Sequence, residues 1–464
     1  MKRLSSNILS IVASDVGRRL LGFFAVAYLA RTVGVAGFGL VNIGFAILSY
    51  AMMVSGGGLG PYGARAVARG DSSGIASAIA GVRLAASGLV FLLVSLGAFV
   101  LVPDRQTAII IAVFLLSQFA NAFLLDWYFQ GKEQMSVIGA ARLISAAVYL
   151  LFLVMFVGSP ADLLWVAIAA VAGDALGSLV TVARFRKVTG AGLGLTFLGG
   201  AKLFREAFPI GIGSMIAHMT VNLPTIVLGI FLTNADAGTY SAAAKLVFFL
   251  LVFDRLLSTL LLPASSRYFA QSPEKLSAML TTALRWVLRI ALPVGIGGTV
   301  LADRILPLVY GPAYGAAADV LRILIWFLLL TMVHTVYTAG LIAAGREKEY
   351  SRVMITSGCI YAVSVCCCTW YYGVAGAAVG IVVSELATLV LMQREAAQCV
   401  AVRPDRSSLA ALAAAAAMGG ALLALPPIHP LLLVGAGALI YAVLLALLRG
   451  ISLDEFSVFM ESSS

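Results

Sequence analysis

The sequence predicts an all-α integral membrane protein of about fourteen transmembrane helices. They form two six-helix bundles related by a pseudo-twofold along the membrane normal, with two further helices at the C-terminus. Three observations predict this. First, the 464-residue chain is 61% hydrophobic and only 11% charged, with a mean hydropathy of +1.02; a soluble domain carries about a quarter charged residues. Second, apolar runs recur from end to end, each long enough to cross roughly 30 Å of hydrocarbon as a helix. Third, short segments echo one another six helices apart. "ARTVGVAGFGLVN" follows the first span and "LTNADAGTYSAAA" the seventh, while "FQGKEQMS" closes the fourth and "AAGREKEYS" the tenth. A parallel repeat of this kind is a transporter build, with substrate between halves that rock against each other.

The first span, 8–30, has a basic start but no small-residue cleavage site, and reads as a retained helix, not a signal peptide. The others are expected at 37–60, 79–102, 106–130, 137–158, 160–182, 205–232, 236–262, 282–302, 320–344, 351–370, 374–394, 407–425 and 429–448. With the N-terminus inside, the inner loops hold about 17 Lys and Arg and the outer loops about three, Arg31, Arg105 and Arg304. The net charge of +10 is therefore mostly a topology signal, not a sign of nucleic-acid binding. The expected organisation is an N-terminal bundle over 1–185, a cytoplasmic linker over 186–204, a second bundle over 205–400, and two extra helices with a cytoplasmic tail over 401–464. Cys359, Cys366, Cys367, Cys368 and Cys399 lack paired-ligand spacing and are expected as buried apolar thiols. No metal or cofactor is expected. "SGGGLGP" lacks the Lys-Ser/Thr of a phosphate loop, and close helix packing or a helix end explains it better.

Segments along nearly the whole chain resemble the oligosaccharide flippases of polysaccharide biosynthesis, a family in the superfamily of multidrug extruders and lipid II flippases. They are "GVAGFGLVNIGFAILSYAMMVSGGGLGPYGARAVAR", "DWYFQGKEQM", "NADAGTYSAAAKL", "LPLVYGPAYGAAADVLRIL", "GLIAAGREKEYS" and "YYGVAGAAVGIVVSELA". The resemblance implies a V-shaped bundle in the bacterial inner membrane, with both termini cytoplasmic. Its substrate would be an undecaprenyl-diphosphate-linked glycan moved from the cytoplasmic to the periplasmic leaflet, for O-antigen or exopolysaccharide. Its partners would be membrane lipid and the polymerase and export proteins of that pathway, and the chain would act as a monomer.

Buried charges gain a reason under that reading. Asp15, Arg18 and Arg19 lie at i, i+3, i+4 in the first span. They either form a local Asp15–Arg19 pair or line a wet cavity with surplus positive charge. Lys245 lies about 13 Å from the outer end of its span at 1.5 Å per residue, and Arg18 about 15 Å from the inner end of its own. A lipid diphosphate must cross that depth, and basic side chains can replace its lost hydration. The expected cationic cavity is thus Arg18, Arg19, Lys245 and Arg255, the last alternatively a neutral pair with Asp254 or a snorkelling side chain. Asp126, Asp174 and Glu385 are acids at depth that join Asp15 as candidates for coupling or charge tuning, or are paired structural acids. Gln118 and Asn121 share the fourth span with Asp126. His218 and His334 read as hydrogen-bonded packing residues, with a proton relay as the alternative. Arg83, Arg142, Arg285 and Arg289 sit near the inner boundary, where long stems reach the headgroups, and Arg322 is read the same way outside. Pro209 and Pro224 in the seventh span are candidate hinges.

Two rivals stand beside the flippase. A multidrug or cation extruder of the same fold calls for an acidic or aromatic cavity, and a membrane glycosyltransferase or polymerase calls for catalytic acids on a sizeable outer loop. The longest outer stretch is about "ADRILPLVYGPAYGAAAD", and no catalytic constellation is visible in it, so the chain is not expected to be an enzyme. The topology is directly testable: reporter fusions after Leu232 and after Arg403 are expected to report outside and inside respectively, and the reverse would overturn the half-by-half reading.

Overall fold

The computed structural model describes residues 2–448 apart from 71–72, 198, 403–404 and 427, and omits the side chains of 2–16, 73, 212–220 and 406. Among the described residues every regular element is helical. The chain divides into two compact units, Met1–Gly238 and Thr239–Ser464.

The first unit opens with α1 (Lys2–Gly56), whose 55 residues would run about 80 Å, more than twice the hydrocarbon thickness. It is two crossings, parted at Gly34, where φ is 71°. Then come α2 (Leu59–Ala68), α3 (Ser73–Leu101), α4 (Arg105–Leu115), α5 (Ser117–Ala122), α6 (Asp126–Gly131), α7 (Met135–Phe156), α8 (Leu163–Thr189) and α9 (Gly200–Phe231). Asp104 caps α4 by accepting from the Gln106 and Thr107 amides at 3.2 and 2.9 Å. The Thr107 side chain, and then those amides, hold its carboxyl below the usual carboxylate range.

The second unit contains α10 (Asn234–Leu250) from Thr239 onward, α11 (Val252–Gln271), α12 (Pro273–Tyr310), α13 (Ala317–Ala343), α14 (Glu347–Ala396), α15 (Arg406–Ala424) and α16 (Pro430–Leu447). The 50-residue α14 is again two crossings, parted at Gly373 with φ 61°. Leu280, Leu284, Val287, Leu328, Val336 and Met392 form the core where α12, α13 and α14 meet. α15 and α16 pack on α12 through Ala414, Met418 and Leu433, and the Tyr441 hydroxyl donates to the Arg289 carbonyl at 2.8 Å.

Among the described residues, eleven helical stretches are long and apolar enough to span a membrane. Counting α1 and α14 as two crossings each and adding α9 gives the fourteen that hydropathy predicts. Four local expectations are corrected. The fourth span is not one helix but α4, α5 and α6 in succession. The long outer stretch is mostly helix: α12 continues to Tyr310, leaving a short turn around the 3-10 helix Pro312–Tyr314. Cys359 and Cys367 are exposed instead of buried. Arg289 does not snorkel: it is 4% exposed, with its guanidinium 5.1 Å from the Trp286 ring centroid.

The glycine run after α1 serves both roles expected of it. Gly58 caps α2 with φ 79°, and a Cβ there would collide with the Ala207 carbonyl and lie 2.6 Å from the Gly211 amide of α9. Gly58→Ala is therefore expected to cost about 1–3 kcal/mol, read as a lower melting temperature in detergent. Gly56→Ala, whose Cβ would meet nothing within 4 Å, is the control that should melt near wild type.

Candidate functional site

The first unit holds an open cavity of about 970 Å³ lined by α1, α2, α3, α5, α6, α7, α8 and one glycine of α9. Its polar wall is built where helices break. Irregular backbone at membrane depth survives only where it is buried in protein or faces a wet cavity, and both conditions are met. At the break between α5 and α6, Thr181 of α8 accepts from the Leu125 amide at 3.3 Å, and Ser178 of α8 donates to the Ala120 carbonyl at 2.6 Å. Trp127, Tyr128 and Phe129 of the "WYFQG" motif are buried, with Tyr128 packed edge-on against Phe185 at 4.9 Å. The motif is thus the anchor that fixes α6, and Asp126, its first residue, is left facing the cavity.

Asp126 Oδ2 accepts from Arg142 Nε at 2.9 Å, and Arg83 acts on the same carboxylate electrostatically. The Arg83 guanidinium also reaches toward the Leu124 carbonyl at 3.5 Å. Across the wall, Ser117 and Asn121 face Asp174, and Gln118 is 1% exposed. Arg83 Nε, Asp126 Oδ1 and both amide heteroatoms of Gln118 are buried with no partner among the described residues. Buried polar groups are almost always hydrogen-bonded, and these four lie enclosed behind the cavity wall with that capacity unfilled. With the exposed Arg65, the lining holds three guanidinium groups and two carboxylates, a surplus of one positive charge.

The residues singled out from the sequence are distributed differently from expectation. Asp126 and Asp174 line this cavity. Arg18 and Arg19 are half-buried on α1, engaged in interactions of their own, and are not among the cavity residues. The side chains of Asp15 and His218 lie outside the described residues. In the second unit Lys245 is half-buried on α10 and Arg255 exposed on α11. Glu385 accepts from Thr331 and pairs with His334, and Asp254 accepts from Thr335. Pro224 is buried and Pro209 exposed, and α9 remains helical through both. Arg83 and Arg142, read as snorkelling, instead make the cavity's charged wall. Counting residues from a helix end gives depth but not which face a side chain occupies, and here the face decides.

A family model described as "polysaccharide biosynthesis protein" matches residues 4–269. Among curated proteins, the "Probable low-salt glycan biosynthesis flippase Agl15" of Haloferax volcanii is 21% identical over 215 residues, 46% of this chain and 46% of its own; the alignment spans about half the length of that relative. Among solved structures, a lipid II flippase MurJ in an inward closed conformation aligns with a TM-score of 0.73 at 15% identity, over 94% of this chain and 98% of that one. A multidrug resistance MATE family transporter in an inward-facing conformation aligns with a TM-score of 0.65 at 15% identity, over 82% and 94%. At such identities the structural likeness shows the fold.

The wall itself gives a stability test. Asp126 is the common partner of two guanidinium groups, and its side chain is 15% exposed against 55% for Arg142. Removing the shared anion leaves two cations unbalanced, whereas removing Arg142 leaves the carboxylate its other neighbour. Asp126→Asn is expected to lower the melting temperature of purified protein more than Arg142→Gln does, and equal shifts would show that Arg83 does not share the carboxylate.

Proposed function

The chain belongs to the polysaccharide biosynthesis protein family, and on that premise we propose that it is a flippase for an undecaprenyl-diphosphate-linked oligosaccharide. It carries this substrate from the cytoplasmic to the periplasmic leaflet of a bacterial inner membrane, with both termini cytoplasmic, by alternating access and without covalent chemistry. The observation that carries the reading is the polar cavity inside a membrane-spanning helical unit, with a surplus of guanidinium over carboxylate in its lining. Such a wall suits an anionic, hydroxyl-rich headgroup. Guanidinium groups bind phosphate oxygens through charge-assisted, often bidentate hydrogen bonds, and a primary amide both donates to and accepts from sugar hydroxyls.

In this reading Arg83 and Arg142 join Arg18 and Lys245 as cations that the headgroup meets during its passage, with Arg19 and Arg255 as supporting cations. A cation extruder is the second reading, favoured by the carboxylates of Asp126 and Asp174 on the cavity wall. The two differ in which charge removal they survive. Removing one charge-assisted contact typically costs about 1.5–3 kcal/mol, roughly ten- to a hundredfold in affinity. Arg83→Ala, Arg18→Ala and Lys245→Ala are each expected to slow flipping of a fluorescent lipid-linked glycan in proteoliposomes by about that factor at matched folded-protein levels. Full flipping by a well-folded triple variant would overturn the anionic-headgroup reading. Loss of ethidium export in Asp174→Asn, with glycan flipping absent in wild type, would establish the cation extruder instead.

A further inference from the structure

Three helices of the second unit bring one imidazole and two carboxylates together. Thr331, His334 and Thr335 share one face of α13 through their i, i+3, i+4 spacing. Thr331 Oγ1 donates to Glu385 Oε1 of α14 at 3.1 Å, and His334 Nδ1 lies 2.5 Å from the same oxygen. Thr335 Oγ1 donates to Asp254 Oδ1 of α11 at 2.7 Å. The side chains of His334 and Glu385 are 16% and 12% exposed. A hydrogen lies between His334 Nδ1 and Glu385 Oε1, and the imidazole tautomer sets which of them donates. His334 Nε2, Glu385 Oε2 and Asp254 Oδ2 make no hydrogen bond among the described residues, yet none is among the fully enclosed unpartnered atoms. Each therefore reaches open space.

The charges do not balance while the imidazole is neutral. The charged groups acting on His334 are Glu385 and Asp254, and those acting on Asp254 are His334, Glu385 and Arg255. α12, which also packs on α13, brings no charged group to bear on either. Two carboxylates and one exposed guanidinium leave a single negative charge, and ionisable groups at membrane depth are costly unless paired. One proton on the imidazole closes the deficit. A metal cation fits less well: hard cations want several oxygen ligands, whereas the open atoms are one nitrogen and two oxygens, and each carboxylate's other oxygen is already engaged by hydroxyl or imidazole.

We propose that Asp254, His334 and Glu385 form a proton-binding site that takes up and releases one proton per transport cycle. Uptake at Nε2 makes an imidazolium between two carboxylates and ties α11, α13 and α14 together. Release leaves the carboxylates to repel one another and loosens that packing. The coupling of this step to glycan movement rests on the flippase reading; the proton site does not.

The full chain in nanodiscs, labelled with 15N-histidine, tests the site. The His334 resonance is the one lost in His334→Gln, the other histidines being His218 and His429. The ring is expected to take up one proton, with an affinity reduced roughly tenfold or more in Glu385→Gln and less in Asp254→Asn. An unchanged titration in Glu385→Gln would overturn the proposal, as would sodium binding that broadens or shifts the resonance while the ring stays neutral. In proteoliposomes, the ratio of glycan flipping with and without a pH gradient is expected to exceed one for wild type and fall to one in His334→Gln. Wild-type flipping that ignores the gradient, beside a titrating His334, would overturn the coupling. A titrating His334 in a protein that moves no lipid-linked glycan would overturn the flippase reading and leave the proton site standing.

Discussion

The first unit depends on how the backbone of its broken fourth span is satisfied inside the membrane. Where α5 gives way to α6 the regular ladder stops, and no lipid can hydrogen-bond the freed groups. The hydroxyls of Ser178 and Thr181 on α8 take that place, one donating to a carbonyl and one accepting from an amide. Two small side chains on a neighbouring helix thereby make a break tolerable, and the break is what brings Asp126 of α6 to the same cavity as Gln118 and Asn121 of α5. In a continuous helix Gln118 and Asn121, three residues apart, would still share a face, but Asp126 would lie about 140° around from Asn121. The aromatic anchor Trp127–Tyr128–Phe129 then prevents α6 from rotating away, because each ring is buried against a neighbour.

Electrostatics explain why the cavity wall mixes signs. Three guanidinium groups with no counter-charge would repel one another across a low-dielectric cavity and would penalise folding before any ligand arrived. Asp126 between Arg83 and Arg142 removes most of that penalty, while its Oδ1 and the Arg83 Nε stay enclosed without a partner among the described residues. The wall is thus close to neutral locally and cationic in sum. An arrangement of this kind holds an anion without trapping it, since a carboxylate competes for the same guanidinium groups. Transport requires release as well as capture, and a purely cationic wall would favour capture alone.

The parts of the fold governed by transfer free energy were legible in the sequence. Span count, the parallel echo and the glycine-rich crossing near Gly58 follow from hydropathy and backbone sterics, and both show in single letters. The helix break before Asp126 was not legible, because the groups that stabilise it sit on α8, more than fifty residues away. The site was partly legible. Asp126, Asp174 and Glu385 stand out as carboxylates in apolar runs, and Gln118 and Asn121 as polar company on one span. Arg83 and Arg142 were misread because their depth matched a snorkelling position while their azimuth, set by packing, did not. The "WYFQG" motif was recognisable as a signature, but nothing in its letters separates a packing anchor from a binding element. His334 is hydrogen-bonded as its place in an apolar run predicts, but the partner could not be named from the sequence, because Glu385 is 51 residues further along the chain.

The two units carry polar groups at depth in contrasting ways, and the contrast bears on what each can hold. In the first unit the groups line a volume of about 970 Å³, and several have no partner among the described residues. A space of that size accepts a headgroup and part of a glycan, and its unfilled hydrogen-bonding capacity favours a ligand rich in oxygens. In the second unit Asp254, His334 and Glu385 are drawn into direct contact with one another's helices, and each already has at least one bond. What remains there is a charge deficit, not a volume, and the ligand that answers a deficit without needing room is a proton. Cost points the same way: a cluster of three ionisable groups buried without a task is expensive to keep in a bilayer, and hydrophobic residues of similar size would pack α11, α13 and α14 at least as stably. A substitution of Asp254, His334 and Glu385 by Leu, Phe and Met is therefore expected to raise the melting temperature while removing every pH dependence this unit contributes, so that stability and proton response separate in one variant.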